Sequence, residues 1–128
     1  MKVALIAALY GALGVILGAF GAHGLKGRLT PDQLVSFETG VRYQLMHALL
    51  LLIIAWWMRH APSAWLAWSA VLVATGILLF SGSIYLLATR ELTGLAWVRV
   101  FGPVTPLGGL FLISGWLLLA VWAWRYQP

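Results

Sequence analysis

The sequence predicts an all-α, polytopic membrane protein: a four-helix bundle with a short interfacial amphipathic helix between spans one and two. Four apolar runs cover residues 3–22, 41–58, 65–87 and 104–124, and each approaches or exceeds the roughly 18–20 apolar residues of a membrane-crossing helix. Hydrophobic residues make up 62% of the chain and charged residues 9%, whereas soluble domains average about 25% charged residues. The polar segments between the runs are short, so residues 1–128 form a single domain.

Charge and cysteine content exclude several classes of function. The chain has no cysteine, which removes disulfides, thiolate nucleophiles and cysteine-bound metal sites. Its net charge of +5 comes from basic residues that stand singly or in pairs at the ends of the apolar runs. This distribution is typical of membrane flanks and not of a nucleic-acid groove, so we expect no nucleic-acid partner.

Span one carries small residues at helical spacing. Gly11, Gly14, Gly18 and Ala22 lie three or four residues apart, and small residues at this spacing let a second helix approach closely within a membrane. A cleaved signal peptide is the alternative, but the apolar region of a signal peptide is shorter, roughly 7–15 residues. We therefore predict a packing face on span one, whose partner helix belongs to the same chain or to another.

The segment after span one predicts a short amphipathic helix over residues 31–39. Thr30 suits the N-cap, Pro31 the first turn, and Gln33 the position that reaches back to the cap. Gly40 permits a bend before span two, and a helix that continues through Gly40 is the alternative. The apolar residues that would share the membrane-facing side are Leu34, Phe37 and Val41.

Spans three and four contain further candidate packing residues. Gly76 lies within span three, and Gly108 and Gly109 follow Pro103 and Pro106 in the opening turns of span four. Small residues at these positions favour close helix packing. Tryptophans near one membrane face predict an aromatic belt there: Trp56, Trp57, Trp65, Trp68, Trp122 and Trp124.

Chemistry-bearing residues are concentrated at one end of the predicted bundle. Glu38 and Arg42 are four residues apart, in the order that favours an ion pair on a helix. His47 lies four residues after Tyr43 and three after Gln44, so these side chains share a second face. The candidate binding residues at this end are His23, Glu38, Arg42, Tyr43, Gln44, His47, Ser81 and Ser83.

Two interpretations of this polar cluster remain open. In the structural one, hydrogen bonds among the polar side chains tie the helix ends together. In the functional one, the cluster binds a lipid headgroup, a small polar group or a proton, because an ionisable residue within a membrane is a candidate functional site by default. Arg42 would then face an anion and Glu38 would orient it.

Catalysis and cofactor binding have weaker support in the sequence. Neither Ser81 nor Ser83 lies in a nucleophile elbow, so we expect no enzymatic activity. No metal or other cofactor is expected, and axial haem ligation by His23 and His47 is the alternative. Spans one, three and four contain no Asp or Glu, the residue type on which small multidrug transporters rely within a span.

The distribution of basic residues predicts the orientation. Cytoplasmic loops carry more Lys and Arg than loops on the opposite side. The end reached after spans one and three has the larger set, Lys26, Arg28, Arg42, Arg90 and Arg99, against Lys2, Arg59 and Arg125 at the other end. The loops after spans one and three are therefore expected in the cytoplasm.

Four sequence blocks resemble a known family of small bacterial inner-membrane proteins, grouped as domain of unknown function 423. The blocks are residues 18–25 (GAFGAHGL), residues 39–47 (TGVRYQ followed by His47), residues 81–85 (SGSIY) and residues 106–109 (PLGG). The resemblance spans nearly the whole chain. It implies a four-span integral membrane protein and supplies no established activity.

These observations lead to a functional expectation. We expect a non-enzymatic protein of the bacterial inner membrane that binds a lipid or amphiphile, or organises the membrane, through the polar end of its bundle. Its expected partners are membrane lipids and either a second copy of the chain or another membrane protein. A small oligomeric channel or carrier is one alternative, and a haem-binding redox protein is another.

Overall fold

A computed structural model describes residues 2–126, which are helical with short connections and contain no strand. The elements are α1 (Lys2–His23), α2 (Pro31–His60), α3 (Ala64–Ala88), α4 (Arg90–Thr93), a 3₁₀ helix (Ala96–Phe101) and α5 (Val104–Arg125). The four long helices are each long and apolar enough to cross a membrane, so the predicted four-span fold is confirmed. Met1, Gln127 and Pro128 belong to the predicted domain and lie outside the described residues.

The four long helices pack around a central pair. α2 and α3 contact each other, α1 packs on α2, and α5 packs on α3 in the most extensive interface of the bundle. α2 presents Val41 and Leu45 to α1, and Trp57 and His47 to α5. The contacts of α2 with α3 lie between these two faces, at Gly40 and Gln44. α1 and α5 are therefore the outer helices.

α2 departs from the prediction because it runs unbroken from Pro31 to His60. The short interfacial helix predicted over residues 31–39 is not a separate element but forms the first turns of α2, beginning at the predicted Thr30–Gln33 capping box. The helix continues through Gly40, which was the alternative interpretation, and this glycine serves close packing instead: a Cβ there would lie 2.9 Å from Cε1 of Tyr85 on α3.

α1 meets α2 along three glycines of its C-terminal half. A Cβ added to Gly14 would lie 2.7 Å from Leu45 Cδ2, one on Gly18 3.2 Å from Val41 Cγ1, and one on Gly21 3.0 Å from the Phe37 ring. The sequence assigned Gly11 and Ala22 to a packing face as well, but neither takes part in the contact between α1 and α2. A Cβ added to Gly11 would have no heavy atom within 4 Å. Ala22 is exposed, because the next residue of α1 after Gly18 that faces α2 is Gly21.

α5 meets α3 along glycines that lie even closer to their neighbours. A Cβ on Gly108 would lie 2.7 Å from the backbone Cα of Phe80, and one on Gly76 3.0 Å from the backbone nitrogen of Leu112. Gly109 is only in ordinary contact, since a Cβ there would lie 3.8 Å from the Phe80 ring. Gly115 extends the interface toward the opposite end of α5, where a Cβ would lie 2.6 Å from Val73 Cγ2.

The loop between α1 and α2 is anchored by apolar side chains. Leu25 and Leu29 are buried, and they form one cluster with Phe37, Val41 and Ala88. A larger cluster fills the centre of the bundle with residues of all four long helices. Both clusters include residues of α2 and α3. The buried polar residues also belong to this central pair: Gln44, His47, Ser69, Ser81 and Ser83.

Candidate functional site

The predicted binding residues divide into a buried and an exposed group. The buried ones are Gln44, His47, Ser81 and Ser83. The exposed ones are His23, Glu38, Arg42 and Tyr43. The structure therefore does not bring the predicted set together into one pocket, because these residues lie on different faces of their helices.

Glu38 and Arg42 lie on the surface of α2, and both side chains are exposed. No ion pair joins them in the part of the chain that the structure describes. An exposed pair at this spacing contributes little stability, because solvent screens the attraction and the long side chains lose freedom. Glu38 therefore does not orient Arg42 through an ion pair in this structure, and the contact of Arg42 with an anion stays a prediction.

Gln44 is the centre of a hydrogen-bond network that joins α1, α2 and α3. Its Oε1 accepts a hydrogen bond from the Tyr85 hydroxyl at 2.8 Å, and its Nε2 donates to the backbone oxygen of Tyr10 at 2.8 Å. The Tyr10 hydroxyl donates in turn to the backbone oxygen of Ala74 at 3.0 Å. Within a bilayer no water replaces such bonds, so the network holds the three helices in register.

His47 has both ring nitrogens in use. Its Nδ1 lies 2.8 Å from the backbone oxygen of Tyr43, and Trp116 Nε1 donates to its Nε2 at 3.2 Å. A carbonyl only accepts and an indole N–H only donates, so Nδ1 carries the proton and the ring is neutral. A haem iron would have to displace Trp116 to reach Nε2. His23, the other axial ligand of the haem alternative, is exposed at the end of α1.

Serine and threonine hydroxyls make the remaining ties between helices. Ser81 Oγ donates to the backbone oxygen of Gly40 at 2.7 Å, linking α3 to α2. Ser83 Oγ lies 2.6 Å from Thr105 Oγ1, and Ser69 Oγ donates to the backbone oxygen of Gly115 at 2.8 Å, so both link α3 to α5. All these buried polar groups have partners, which favours the structural interpretation for the buried half of the predicted set.

A crevice at the same end of the bundle has a different lining, and we call it the Arg90 crevice. It has a volume of about 300 Å³ between the N-terminal turns of α2 and the C-terminal end of α3. Its polar lining comes from Asp32, Gln33 and Ser36 of α2, Arg90 of α4 and Thr105 of α5; its apolar wall includes Ile84 and Leu87. The crevice therefore combines both signs of charge with an apolar wall.

Arg90 is the unusual residue of this crevice. Its Nε is buried and has no hydrogen-bond partner within residues 2–126. A buried guanidinium N–H without an acceptor is unfavourable, because it has lost water and gained nothing in return. Among the same residues, no group of three or more His, Asp or Glu side chains is placed to hold a metal ion.

Comparison with known proteins places the chain in a family. The family model described as "Protein of unknown function (DUF423)" matches residues 17–109. The chain belongs to the DUF423 family. The matched part of the chain, residues 17–109, includes all eight predicted binding residues and the whole lining of the Arg90 crevice.

Similar proteins occur in distantly related bacteria. The chain is 40% identical over 123 residues to the UPF0382 inner membrane protein YgdD of Escherichia coli K12, covering 96% of this chain and 89% of that protein. It is 38% identical over 128 residues to the UPF0382 membrane protein YwdK of Bacillus subtilis, covering 98% and 99%. No solved structure matches. This DUF423 chain is thus a multi-pass membrane protein.

The sequence did not single out several residues that hold this DUF423 bundle together. Tyr10, Ser69 and Thr105 bond across helices although each stands alone in an apolar run. Trp116 was not assigned to the aromatic belt, and the structure shows its indole N–H bonded to His47. One feature of the sequence could have identified these residues: each carries a hydrogen-bonding group within a span. Such a group needs a partner inside the protein, because the hydrocarbon core contains no water.

Proposed function

We propose that this protein is a non-enzymatic membrane protein that binds a phospholipid, whose headgroup lies in the Arg90 crevice. The observation that carries the proposal is the buried Nε of Arg90, which has no partner within residues 2–126. Phosphate oxygens are strong acceptors for a guanidinium, because the bond is charge-assisted and its planar geometry fits two parallel contacts. A headgroup phosphate in the crevice would pair with the guanidinium of Arg90, which lines it.

The charges of the crevice favour a zwitterionic headgroup. Arg90 and Asp32 both line it, together with the amide of Gln33 and the hydroxyl of Ser36. A phosphate with a nearby ammonium, as in phosphoethanolamine, pairs with a guanidinium and a carboxylate at the same time. A purely anionic headgroup would meet Arg90 but would be repelled by Asp32.

The position of the crevice suits a lipid. Arg90 lies two residues after the end of α3, and basic residues just beyond a span typically lie at the membrane interface. Ile84 and Leu87 continue the wall of the crevice along the apolar part of α3, in the direction that an acyl chain would take. The hydrogen bonds of Gln44 and Ser81 support the proposal indirectly, because they fix α2 against α3 and so keep the crevice open.

The test compares two arginine variants. We expect the wild-type protein in detergent, titrated with dioleoyl phosphatidylethanolamine, to retain one lipid per chain in native mass spectrometry. Arg90→Gln should weaken this binding about tenfold or more, since a hydrogen bond to a charged group contributes roughly 1.5–3 kcal/mol. Arg99→Gln is the matched control, because Arg99 is exposed nearby and does not line the crevice.

A second variant tests the choice of headgroup. Asp32→Asn should reduce the preference for phosphatidylethanolamine over phosphatidylglycerol and leave the phosphate contact in place. Equal binding by the wild type and Arg90→Gln would contradict the proposal. A stable oligomer that retains no lipid would contradict it too, and would favour the channel or carrier alternative.

We also propose that the loops after spans one and three face the cytoplasm, which puts the Arg90 crevice in the cytoplasmic leaflet. The proposal rests on the larger set of basic residues at this end. Alkaline phosphatase fused after Arg125 should be active, since the enzyme folds only outside the cytoplasm. Activity of a fusion after Thr93 instead would reverse the orientation.

A further inference from the structure

We propose a second lipid site at the opposite end of the bundle, formed by α1 and α2. In this site an acyl chain of an anionic phospholipid fills a crevice between the two helices, and Arg59 binds the lipid phosphate. The proposal does not depend on the Arg90 crevice, because the two sites share no residue and lie at opposite ends of α2.

The crevice between α1 and α2 has a volume of about 600 Å³, twice that of the Arg90 crevice. We call it the Arg59 crevice. α1 contributes Val3 and Ala4 to its lining, and the C-terminal half of α2 contributes Leu52, Ala55, Trp56 and Arg59 among others. Both helices present apolar side chains along its depth, so it suits a hydrocarbon chain. Its volume falls within the roughly 300–1,000 Å³ of ligand-binding sites.

The crevice exists because the close packing of α1 on α2 does not continue to the N-terminus of α1. In the antiparallel register that sets Gly14 against Leu45 and Gly18 against Val41, Ala4 lies opposite Ala55. Two methyl groups leave space between the helices there, and both residues line the crevice. A second cavity, of about 350 Å³, lies between α1 and α3 and shares Val3 with the first, so the N-terminal part of α1 is loosely packed on both sides.

The mouth of the Arg59 crevice has the groups that recognise a phospholipid at the interface. Arg59 is exposed in the last turn of α2, where its guanidinium can bind a phosphate through charge-assisted hydrogen bonds. The Trp56 ring packs on the His60 ring with centroids 4.3 Å apart, and tryptophan at this depth is typical of the headgroup region.

The charges at this end favour an anionic headgroup. The chain has only three acidic residues, Asp32, Glu38 and Glu91, and all of them lie at the other end of the bundle. Within residues 2–126 Arg59 therefore has no Asp or Glu beside it, unlike Arg90, which shares its crevice with Asp32. A lipid with net negative charge, such as phosphatidylglycerol, fits the Arg59 crevice better than a zwitterionic one.

The test fills the crevice and then removes its charge. Ala55→Trp places a large ring between α1 and α2, and Ala12→Trp places the same ring on the exposed side of α1 as the control. In native mass spectrometry with dioleoyl phosphatidylglycerol, we expect Ala55→Trp to weaken the affinity about tenfold or more, because the ring occupies the place of the acyl chain. A tenfold change in affinity corresponds to about 1.4 kcal/mol. Ala12→Trp should bind like the wild type.

Arg59→Gln separates headgroup recognition from occupation by any acyl chain. This variant should bind phosphatidylglycerol no better than dioleoylglycerol, which lacks the phosphate, whereas Arg125→Gln should keep the wild-type preference. Arg125 is at the same end but contacts the Trp65 ring and does not line the crevice. If Ala55→Trp does not fold, the smaller change Ala55→Leu replaces it. Phosphatidylglycerol binding by Ala55→Leu and Arg59→Gln then decides whether the site exists.

The two proposed sites can fail separately. Loss of phosphatidylglycerol binding in Ala55→Trp and Arg59→Gln, with phosphatidylethanolamine binding intact, supports the second site. Phosphatidylglycerol binding that is unchanged in both variants, or that falls equally in Ala12→Trp and Arg125→Gln, overturns it. The Arg90→Gln result bears only on the first site.

Discussion

The two outer helices are attached to the central pair in different ways. On α5, glycine brings backbone against backbone: a Cβ on Gly108 would lie 2.7 Å from the Phe80 Cα and 2.8 Å from the Leu79 carbonyl carbon. On α1, glycine faces side-chain ends, such as Leu45 Cδ2 opposite Gly14. A side chain can rotate away from an added methyl and a helix backbone cannot. The α3–α5 interface should therefore be rigid and the α1–α2 interface adaptable, which agrees with the cavities beside α1.

Gly108→Ala should produce the largest effect. The added methyl would collide with the backbone of α3, and relief requires the two helices to separate. We expect a loss of about 3 kcal/mol in the free energy of unfolding, at the upper end of overpacking effects. Denaturation in mixed micelles of dodecylmaltoside and SDS, followed by far-ultraviolet circular dichroism, measures it. Wild-type stability would show that backbone contact on α5 is not limiting.

Gln44→Leu should have the next largest effect, and it weakens the attachment of α1 to the central pair. It leaves the Tyr85 hydroxyl without its acceptor and removes the bond to Tyr10. We expect a loss of about 1–2 kcal/mol, because hydrogen bonds between membrane helices average about 0.6 kcal/mol and reach about 1.7 kcal/mol. A double-mutant cycle with Tyr85→Phe isolates the shared bond, and purely additive losses would mean that Gln44 and Tyr85 act independently.

Gly14→Ala should cost less than either change. The methyl would approach Leu45 Cδ2 at 2.7 Å, but Leu45 is only partly buried and can change rotamer. We expect a loss of about 1 kcal/mol or less, within the low range for overpacking. The same unfolding assay compares it with Gly108→Ala, and a loss as large as that of Gly108→Ala would remove the distinction between the two interfaces.

Gly11→Ala is the matched control and should have the smallest effect. Nothing lies within 4 Å of a Cβ at this position, and alanine favours a helix over glycine by about 0.5–1 kcal/mol. We expect unchanged or slightly higher stability. A clear loss would indicate that Gly11 contacts a second copy of the chain, which cross-linking of a cysteine variant at this position would then detect.

The sequence predicted the spans well because span length and composition are set by the bilayer itself. It predicted the helix start at Thr30 because a capping box is a local signal. It did not distinguish Gly11 from Gly14 or find Gly21, since the rotation of α1 about its axis depends on the surface of α2. Local spacing alone cannot reveal that rotation.

The candidate site was harder to predict than the fold. Gln44, His47, Ser81 and Ser83 were correctly singled out as polar candidates, but their partners include Tyr10, Thr105 and Trp116, which are distant in sequence. Glu38 and Arg42 were predicted to pair from their spacing, but both side chains are exposed on α2 and no ion pair joins them within residues 2–126. Arg90 was counted only among the basic residues that predict the orientation, because the burial of its Nε depends on how the helices meet and not on its neighbours in the chain.

The unbroken course of α2 connects distant parts of the molecule. Its 30 residues extend about 45 Å, roughly 15 Å more than the hydrocarbon thickness of a bilayer. The loop residues Leu25 and Leu29 are fixed to its protruding end through Phe37, and His47 connects its middle to Trp116 on α5. α2 therefore connects the loop at one end of the bundle to α5 on its far side, through the Phe37 cluster, the Gln44 network and the bond between His47 and Trp116.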